Sequence, residues 1–194
     1  VLVEDLLAGI GKGKYLWAAA LLLMPRRLLA RFFDAVRPDD VATVIFSSGS
    51  TGEPKGVKLT HTNIISNIEG VVEVFQIDRR DCLLGVLPFF HSLGFTATLW
   101  LPATSGTKVA YHPDPTDAGA ISGMLKESAV TIVLATPTFL MLYLRKCAAE
   151  DFASVRQVMC GAEKLKSSLA EAFNEKFGIV PMEGYGATEL SPVV

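Results

Sequence analysis

Residues 131–146 read TIVLATPTFLMLYLRK. Thr131–Ala135 is a short run, apolar throughout its middle, and reads as a buried strand. Thr136 and Pro137 follow it at once. A threonine can cap a helix, and proline fits the first helical position, where its missing N–H costs nothing. A strand that turns directly into a helix is half of a parallel crossover, because parallel neighbours need such a connection between them. One junction of this kind predicts an α/β fold if it repeats.

It repeats on both sides. Upstream, Thr43–Phe46, Cys82–Leu87 and Thr107–Tyr111 read as strands. Asn63–Gln76 places apolar residues at 64, 65, 68, 71, 72 and 75, a helical period. Ser92–Pro102 reads as a mostly buried helix and Thr116–Glu127 as an amphipathic one. Downstream, Val155–Cys160 is a strand. Ser168-x-x-Glu171 has the form of a capping box opening a helix that Gly178 ends, and Ile179–Met182 starts a last strand. Strand and helix alternate about five times with short connections. The expectation is a mostly parallel sheet with helices on both faces, with ligands beyond the carboxyl ends of the strands. The domain organisation expected is an apolar-basic helical lead-in over residues 1–40, with Val36–Asp40 as a turn, and an α/β unit over residues 41–194.

Composition narrows the function. The chain has 194 residues and a formal net charge of −2, so it has no global basic field for nucleic acid. Cys82, Cys147 and Cys160 are an odd number without C-x-x-C spacing, which argues against a disulfide framework or a structural zinc site. Mean hydropathy is +0.37. The most apolar stretch, Tyr15–Met24, would rise only about 15 Å as a helix, too short for the hydrocarbon core. It reads as a buried or partner-packed helix, with contact at a membrane surface as the other reading.

The unusual residues fall where such a sheet would bind. Thr43–Phe46 runs into Ser47-Ser48-Gly49-Ser50-Thr51-Gly52-Glu53-Pro54-Lys55-Gly56. Glycines allow close backbone approach, successive N–H groups make a concavity for an anion, and Lys55 adds a mobile charge. Polyphosphate is the natural ligand. The spacing is not that of a P-loop, because Gly56 follows Lys55 where a Ser or Thr would be needed. A flexible surface loop is the plain alternative.

The string SSGSTGEPKGVKLTHTN resembles the phosphate-loop motif of the adenylate-forming superfamily: acyl-CoA synthetases, luciferases and peptide-synthetase adenylation domains. Three more segments match in order. Leu87-Pro88-Phe89-Phe90-His91-Ser92-Leu93-Gly94 is similar to the P-x-F-H segment, Cys160-Gly161-Ala162-Glu163-Lys164-Leu165 to the G-G-A/E-x-L segment, and Glu183-Gly184-Tyr185-Gly186-Ala187-Thr188-Glu189 to the G-Y-G-x-T-E segment. The wording is closest to the acyl-acyl-carrier-protein synthetase domain of the bacterial bifunctional 2-acylglycerophosphoethanolamine acyltransferases, which act in lysophospholipid salvage at the inner membrane.

The resemblance implies ATP and Mg²⁺ as cofactors and a two-step reaction. A carboxylate joins the α-phosphate of ATP, and the acyl group then passes to a thiol. Ser47, Ser48, Gly49, Ser50, Thr51, Gly52 and Lys55 would embrace the β- and γ-phosphates. Thr188 would touch the α-phosphate, and Glu189 would hold Mg²⁺ with Ser47 as a second ligand. Tyr185 would lie against adenine, with Gly161, Ala162 and Glu163 on the other side. The acyl chain would pass Gly184 and Gly186, and His91 would sit by the reacting carboxylate. The implied partners are a fatty acid, carrier protein or coenzyme A as acceptor, and lysophospholipid through a separate acyltransferase domain.

Other residues take plainer readings. His61 and His112, Glu69 and Glu73, Lys164 and Lys166 read as structural or surface positions, Cys160 as a buried strand-end thiol, and Phe139–Leu144 as core or tunnel wall. The family's ribose-gripping acid, hinge and lid with its catalytic lysine would come after residue 194. The chain is therefore expected to be an excised piece of a longer enzyme, soluble and inactive by itself. Its parent is expected at the cytoplasmic side of the inner membrane. Exposed apolar surface is expected to drive homodimerisation. A long-chain acyl-CoA ligase fragment, and a nucleotide-binding or membrane-surface module without catalysis, stand as alternative functions.

Overall fold

The computed structural model describes residues 11–29, 36–47 and 53–193. The chain divides into two compact units, residues 1–37 and 38–194.

The first unit holds helices α1 (Lys12–Leu22) and α2 (Arg26–Leu29). Pro25 separates them, since it cannot continue the i→i−4 ladder of α1. Tyr15, Leu16, Trp17, Leu22 and Leu23 are exposed, so the reading of this stretch as a buried helix does not hold within this chain. Its run of apolar residues has no polar face to set against a core. No helix among the described residues is long and apolar enough to cross a membrane. The expected helices over residues 1–10 and 30–34 lie outside the described residues.

The second unit is built on five parallel strands: β3 (Cys82–Gly85), β4 (Lys108–Tyr111), β5 (Ile132–Ala135), β6 (Gln157–Cys160) and β7 (Met182–Glu183). Their order is β4-β3-β5-β6-β7, every pair parallel. The chain steps outward from β3 to β4, then returns past β3 and proceeds the other way. The strand order reverses between β3 and β5, and a doubly wound sheet opens a crevice at such a point.

Strand side chains alternate between two cores. Leu84, Val133, Ala135, Val158 and Cys160 face one side, where they meet α6 (Ala118–Glu127), α7 (Pro137–Lys146) and α8 (Ser167–Phe177). Leu83, Ile132, Leu134 and Met159 face the other. There they meet α3 (His61–Phe75) and a segment made of α4 (Ser92–Gly94), a π-helical stretch Phe95–Trp100 and α5 (Leu101–Ser105). The β3-to-β4 connection lies on the face opposite to the later ones. Crossovers of one hand require that when the chain reverses direction across a sheet.

Three expectations need correction. Thr43–Phe46 is not in the parallel sheet. It lies in β1 (Val41–Ser47), which pairs antiparallel with β2 (Lys55–Thr60), a strand that the sequence reading left in the loop and helix start. The seven residues between them are too few for a crossover, so a hairpin is the connection available. The helix at 167–177 does not open with a capping box at Ser168. Its N-cap is Lys166, whose carbonyl accepts from Leu169 and Ala170, and no side chain caps it. The helix begins before Ser168, so that hydroxyl lies inside the first turn. The helix read over Ser92–Pro102 contains the π-helical stretch, an irregularity that apolar periodicity does not report.

Thr136 caps α7 as expected, accepting from the Phe139 N–H at 3.3 Å, with Pro137 at the helix start. Phe139–Leu144 lies in α7 and, apart from the exposed Met141, packs into the core of the α6–α8 face. Glu69, Glu73, Lys164 and Lys166 are exposed, and the Cys160 thiol is buried.

The amino-terminal ends of β3, β5 and β6 are tied by one polar cluster. Asp81, 5% exposed, accepts from Arg156 Nε (2.9 Å), Arg156 Nη2 (2.8 Å) and Thr131 Oγ1 (2.7 Å). The Arg156 guanidinium holds the Asp81 carboxyl down at about 2. Arg156 Nη2 also reaches the Gln76 carbonyl at 3.1 Å, so the cluster fixes the end of α3.

Candidate functional site

At the opposite end of the sheet the connections are open. The chain leaves β3 through Pro88-Phe89-Phe90-His91. The His91 N–H donates to the Pro88 carbonyl at 3.1 Å, and its Nδ1 accepts from the Leu93 N–H at 3.2 Å. That pair of bonds turns the chain and leaves the ring exposed. Gly94 makes the turn possible. A Cβ there would strike the Pro88 carbonyl oxygen and stand 2.9 Å from that of Leu87.

The next two strand ends come together beside it. Gly161, after β6, donates to the Ala135 carbonyl at 3.3 Å. Gly184, after β7, donates to the Cys160 carbonyl at 2.7 Å. Ala162 sits at φ +67, a left-handed conformation uncommon outside glycine and a local strain at a strand end. Gly186 bridges to Val193, and a Cβ on it would overlap the Pro192 carbonyl oxygen. The loop so folded ends in a 3₁₀ turn, Thr188–Leu190.

Two contacts bring this turn to the hairpin and to α3. Strand β2 packs against the turn. Asn67 on α3 donates from Nδ2 to the Val193 carbonyl (2.6 Å) and to that of Leu190 (3.3 Å). The buried Ser92 hydroxyl lies 3.3 Å from that of Thr188. In the hairpin register Ser47 faces Lys55, so these two residues stand at the base of the loop between them. Ser48, Gly49, Ser50, Thr51 and Gly52 lie outside the described residues.

A cavity of about 220 Å³ starts at this meeting point. His91, Gly161, Ala162, Gly184, Tyr185, Gly186 and Thr188 all line it. It runs inward between α3 and the sheet to Phe75, Ile77, Leu83 and Leu101. Lys55, Ser47, Glu163 and Glu189 do not line it. Lys55 and Glu189 are exposed on β2 and on the turn that packs against it. The Glu163 carboxylate accepts from Thr138 Oγ1 at 2.6 Å, which anchors it to the start of α7. Tyr185 is 75% exposed.

Sequence reading missed Ser92 and Asn67. Asn67 left a signal: it stands three residues after Ile64 and one before Ile68, a polar group on an otherwise apolar helix stripe. Ser92 was read only as part of the P-x-F-H segment and as the start of a buried helix, with no role of its own.

Burial, with Glu183 nearby, pushes the Cys160 thiol up to about 11, so it stays protonated and unreactive at neutral pH. Among the described residues no group of three His, Cys, Asp or Glu side chains could hold a metal by itself. A magnesium ion does not need one. It binds through one or two carboxylates plus phosphate oxygens and waters. Glu189 offers an exposed carboxylate next to Thr188, and Ser47 a hydroxyl at the hairpin base, so the donors fit an ion that arrives with a polyphosphate.

The described parts of the motif segments, the parallel sheet and the base of the hairpin now stand in one arrangement. Residues 14–194 match the family described as AMP-binding enzyme. The chain belongs to that family. It is 33% identical over 166 residues to 4-coumarate–CoA ligase 3 of Oryza sativa subsp. japonica, covering 82% of this chain and 30% of that protein. Among solved structures, o-succinylbenzoate coenzyme A synthetase (MenE) of Bacillus subtilis in complex with ATP and magnesium superposes with a TM-score of 0.74 at 28% identity. That match covers 80% of this chain and 32% of MenE. Apo MatB of Rhodopseudomonas palustris superposes at 0.75 with 24% identity, covering 82% and 32%, which shows the shared fold. The chain thus spans about a third of the length of these relatives.

Proposed function

We propose that this chain carries the phosphate, adenine and acid sites of an acid–thiol ligase. The observation that carries the reading is the convergence of β2, the Thr188–Leu190 turn and the cavity mouth. A lysine at the base of the hairpin, a hydroxyl and an exposed carboxylate belong to segments that pack together near the open end of an apolar slot. The nucleotide is ATP, with Mg²⁺. The ion, when bound, offsets charge on the phosphates.

In the first step a carboxylate oxygen of the acid bonds to the α-phosphorus, and pyrophosphate leaves. In the second a thiol sulfur bonds to the acyl carbon, AMP leaves, and the thiol proton passes to solvent. This chain's residues bind and orient. Lys55 and the hairpin loop hold the outer phosphates, as charge-assisted bonds do best. Thr188, steadied by Ser92, donates to the α-phosphate. Tyr185 offers its ring to adenine. His91 stands at the mouth, where it can place the carboxylate in line.

The acid is a fatty acid on this reading, supported by the apolar lining of the cavity. The acceptor is carrier protein or coenzyme A; curated relatives named as CoA ligases support the second. The place in phospholipid acylation rests on the sequence wording VEDLL at residues 3–7, the apolar-basic stretch before the loop, and residues 161–165 and 183–194. Contact of the parent with a membrane surface rests on the basic flanks and exposed apolar residues of α1. Homodimerisation rests on exposed Phe46 and Phe90.

Titration calorimetry of Mg·ATP and of a non-hydrolysable fatty-acyl adenylate analogue tests the reading. The expected result is analogue binding that weakens at least about tenfold, ~1.4 kcal/mol, in Lys55→Ala. Equal binding by both proteins overturns it.

A further inference from the structure

The Asn67 side chain belongs to two places at once. It lines the cavity beside Ile68, Val71 and Phe75 of α3. Its Nδ2 donates to the Val193 carbonyl at 2.6 Å and to the Leu190 carbonyl at 3.3 Å, so it holds the carboxyl side of the Thr188–Leu190 turn. Chemistry fixes the orientation of the amide: two carbonyls can only accept, so the nitrogen must face them. Oδ1 is left buried and without a partner among the described residues. The amino side of the same turn meets the hydroxyl of Ser92, another residue that lines the cavity. The turn that carries Thr188 and Glu189 is thus held from the cavity wall.

What fills the cavity therefore decides how firmly the turn is held. Water there can serve the carbonyls or the Asn67 amide, and a bond that water can replace is worth little net. An alkyl chain in the cavity excludes water. The carbonyls then depend on the Asn67 amide, and breaking that pairing would leave buried acceptors unsatisfied, which costs more than the bond gives in water.

We propose that Asn67 is a positioning residue that couples the two ligands. Acid in the cavity strengthens its hold on the turn, and a turn fixed in advance spares Mg·ATP the cost of ordering Thr188 and Glu189. Linkage makes the effect mutual, so bound nucleotide tightens acid binding by the same factor. The inference rests on the acid-activation reading for what the two ligands are.

The experiment is titration calorimetry of Mg·ATP into the full chain, alone and saturated with decanoate, repeated on Asn67→Ala and Asn67→Leu. In the unaltered chain decanoate is expected to lower the Kd of Mg·ATP about fivefold. Both variants are expected to bind decanoate, which shows that they are folded, while the factor falls to about one. A merely structural Asn67 would weaken Mg·ATP equally with and without decanoate and leave the factor as it was, and that result overturns the proposal. So does loss of decanoate binding by both variants, since the acid itself would then need Asn67. Independent binding of the two ligands to the unaltered chain sinks the coupling alone and leaves acid activation standing, whereas failure of either ligand to bind that chain sinks both.

Discussion

The two ends of the parallel sheet hold polar groups in opposite conditions. At the amino-terminal end Asp81, Thr131 and Arg156 bond to one another and to the backbone. At the carboxyl-terminal end Lys55, His91, Tyr185 and Glu189 are exposed, and Asn67 Oδ1 and Thr96 Oγ1, in residues that line the cavity, have no partner among the described residues. Satisfied buried groups hold a fold in register, whereas unsatisfied ones cost free energy that a ligand can recover. The same sheet thus locks at one end and, on the proposed reading, binds at the other.

The contrast can be broken most severely at the locked end. Arg156→Ala leaves the Asp81 carboxylate buried without its cation and is expected to cost about 2–4 kcal/mol, read from urea unfolding. An unchanged midpoint would mean that the cluster is ornamental. Acid acts on the same group. The folded-state value of Asp81 lies below its ordinary value near 4, so its stabilisation is present above about pH 4 and is lost as pH falls toward about 2. Unfolding followed between those values should show a loss that Asp81→Asn, already destabilised, shows less of.

At the open end Gly94→Ala comes next in size. Its methyl group meets the Pro88 and Leu87 carbonyls, and a cost of about 1–3 kcal/mol is expected, with weaker acid binding because the turn at His91 must shift. Asn67→Ala removes two bonds to the Val193 and Leu190 carbonyls. About 1 kcal/mol of stability and a weaker response to Mg·ATP are expected, since the turn carrying Thr188 and Glu189 loosens. Thr188→Ala should change stability by less than about 0.5 kcal/mol while lowering adenylate-analogue affinity about tenfold. A large stability loss there would move Thr188 to the locked class.

Much of this was readable from sequence. Thr131–Ala135 is apolar throughout its middle and leads straight into the Thr136–Pro137 helix start, and both its strand and its helix form as read. The Gly161, Gly184 and Gly186 segments fall at strand ends, as the parallel fold requires. The hairpin was not read, although Val57 and Leu59 alternate with Lys58 and Thr60, because the glycine-rich loop drew the whole stretch into itself. The cap at Ser168 was misread because a motif marks a competent residue, and the chain chose a start before it.

Local order, then, was decided by sequence: which residues form strands, where helices begin after them, and which four segments resemble the family's motifs. Those properties depend on neighbours a few positions away, through side-chain periodicity, backbone freedom and capping. The reversal of strand order between β3 and β5, the antiparallel place of β1, the tie from Asn67 to the Thr188 turn and the depth of the slot were decided by tertiary structure. Each joins residues separated by tens of positions. Which of many apolar stripes pack together is settled by the net burial of the whole chain, a quantity that no short segment contains.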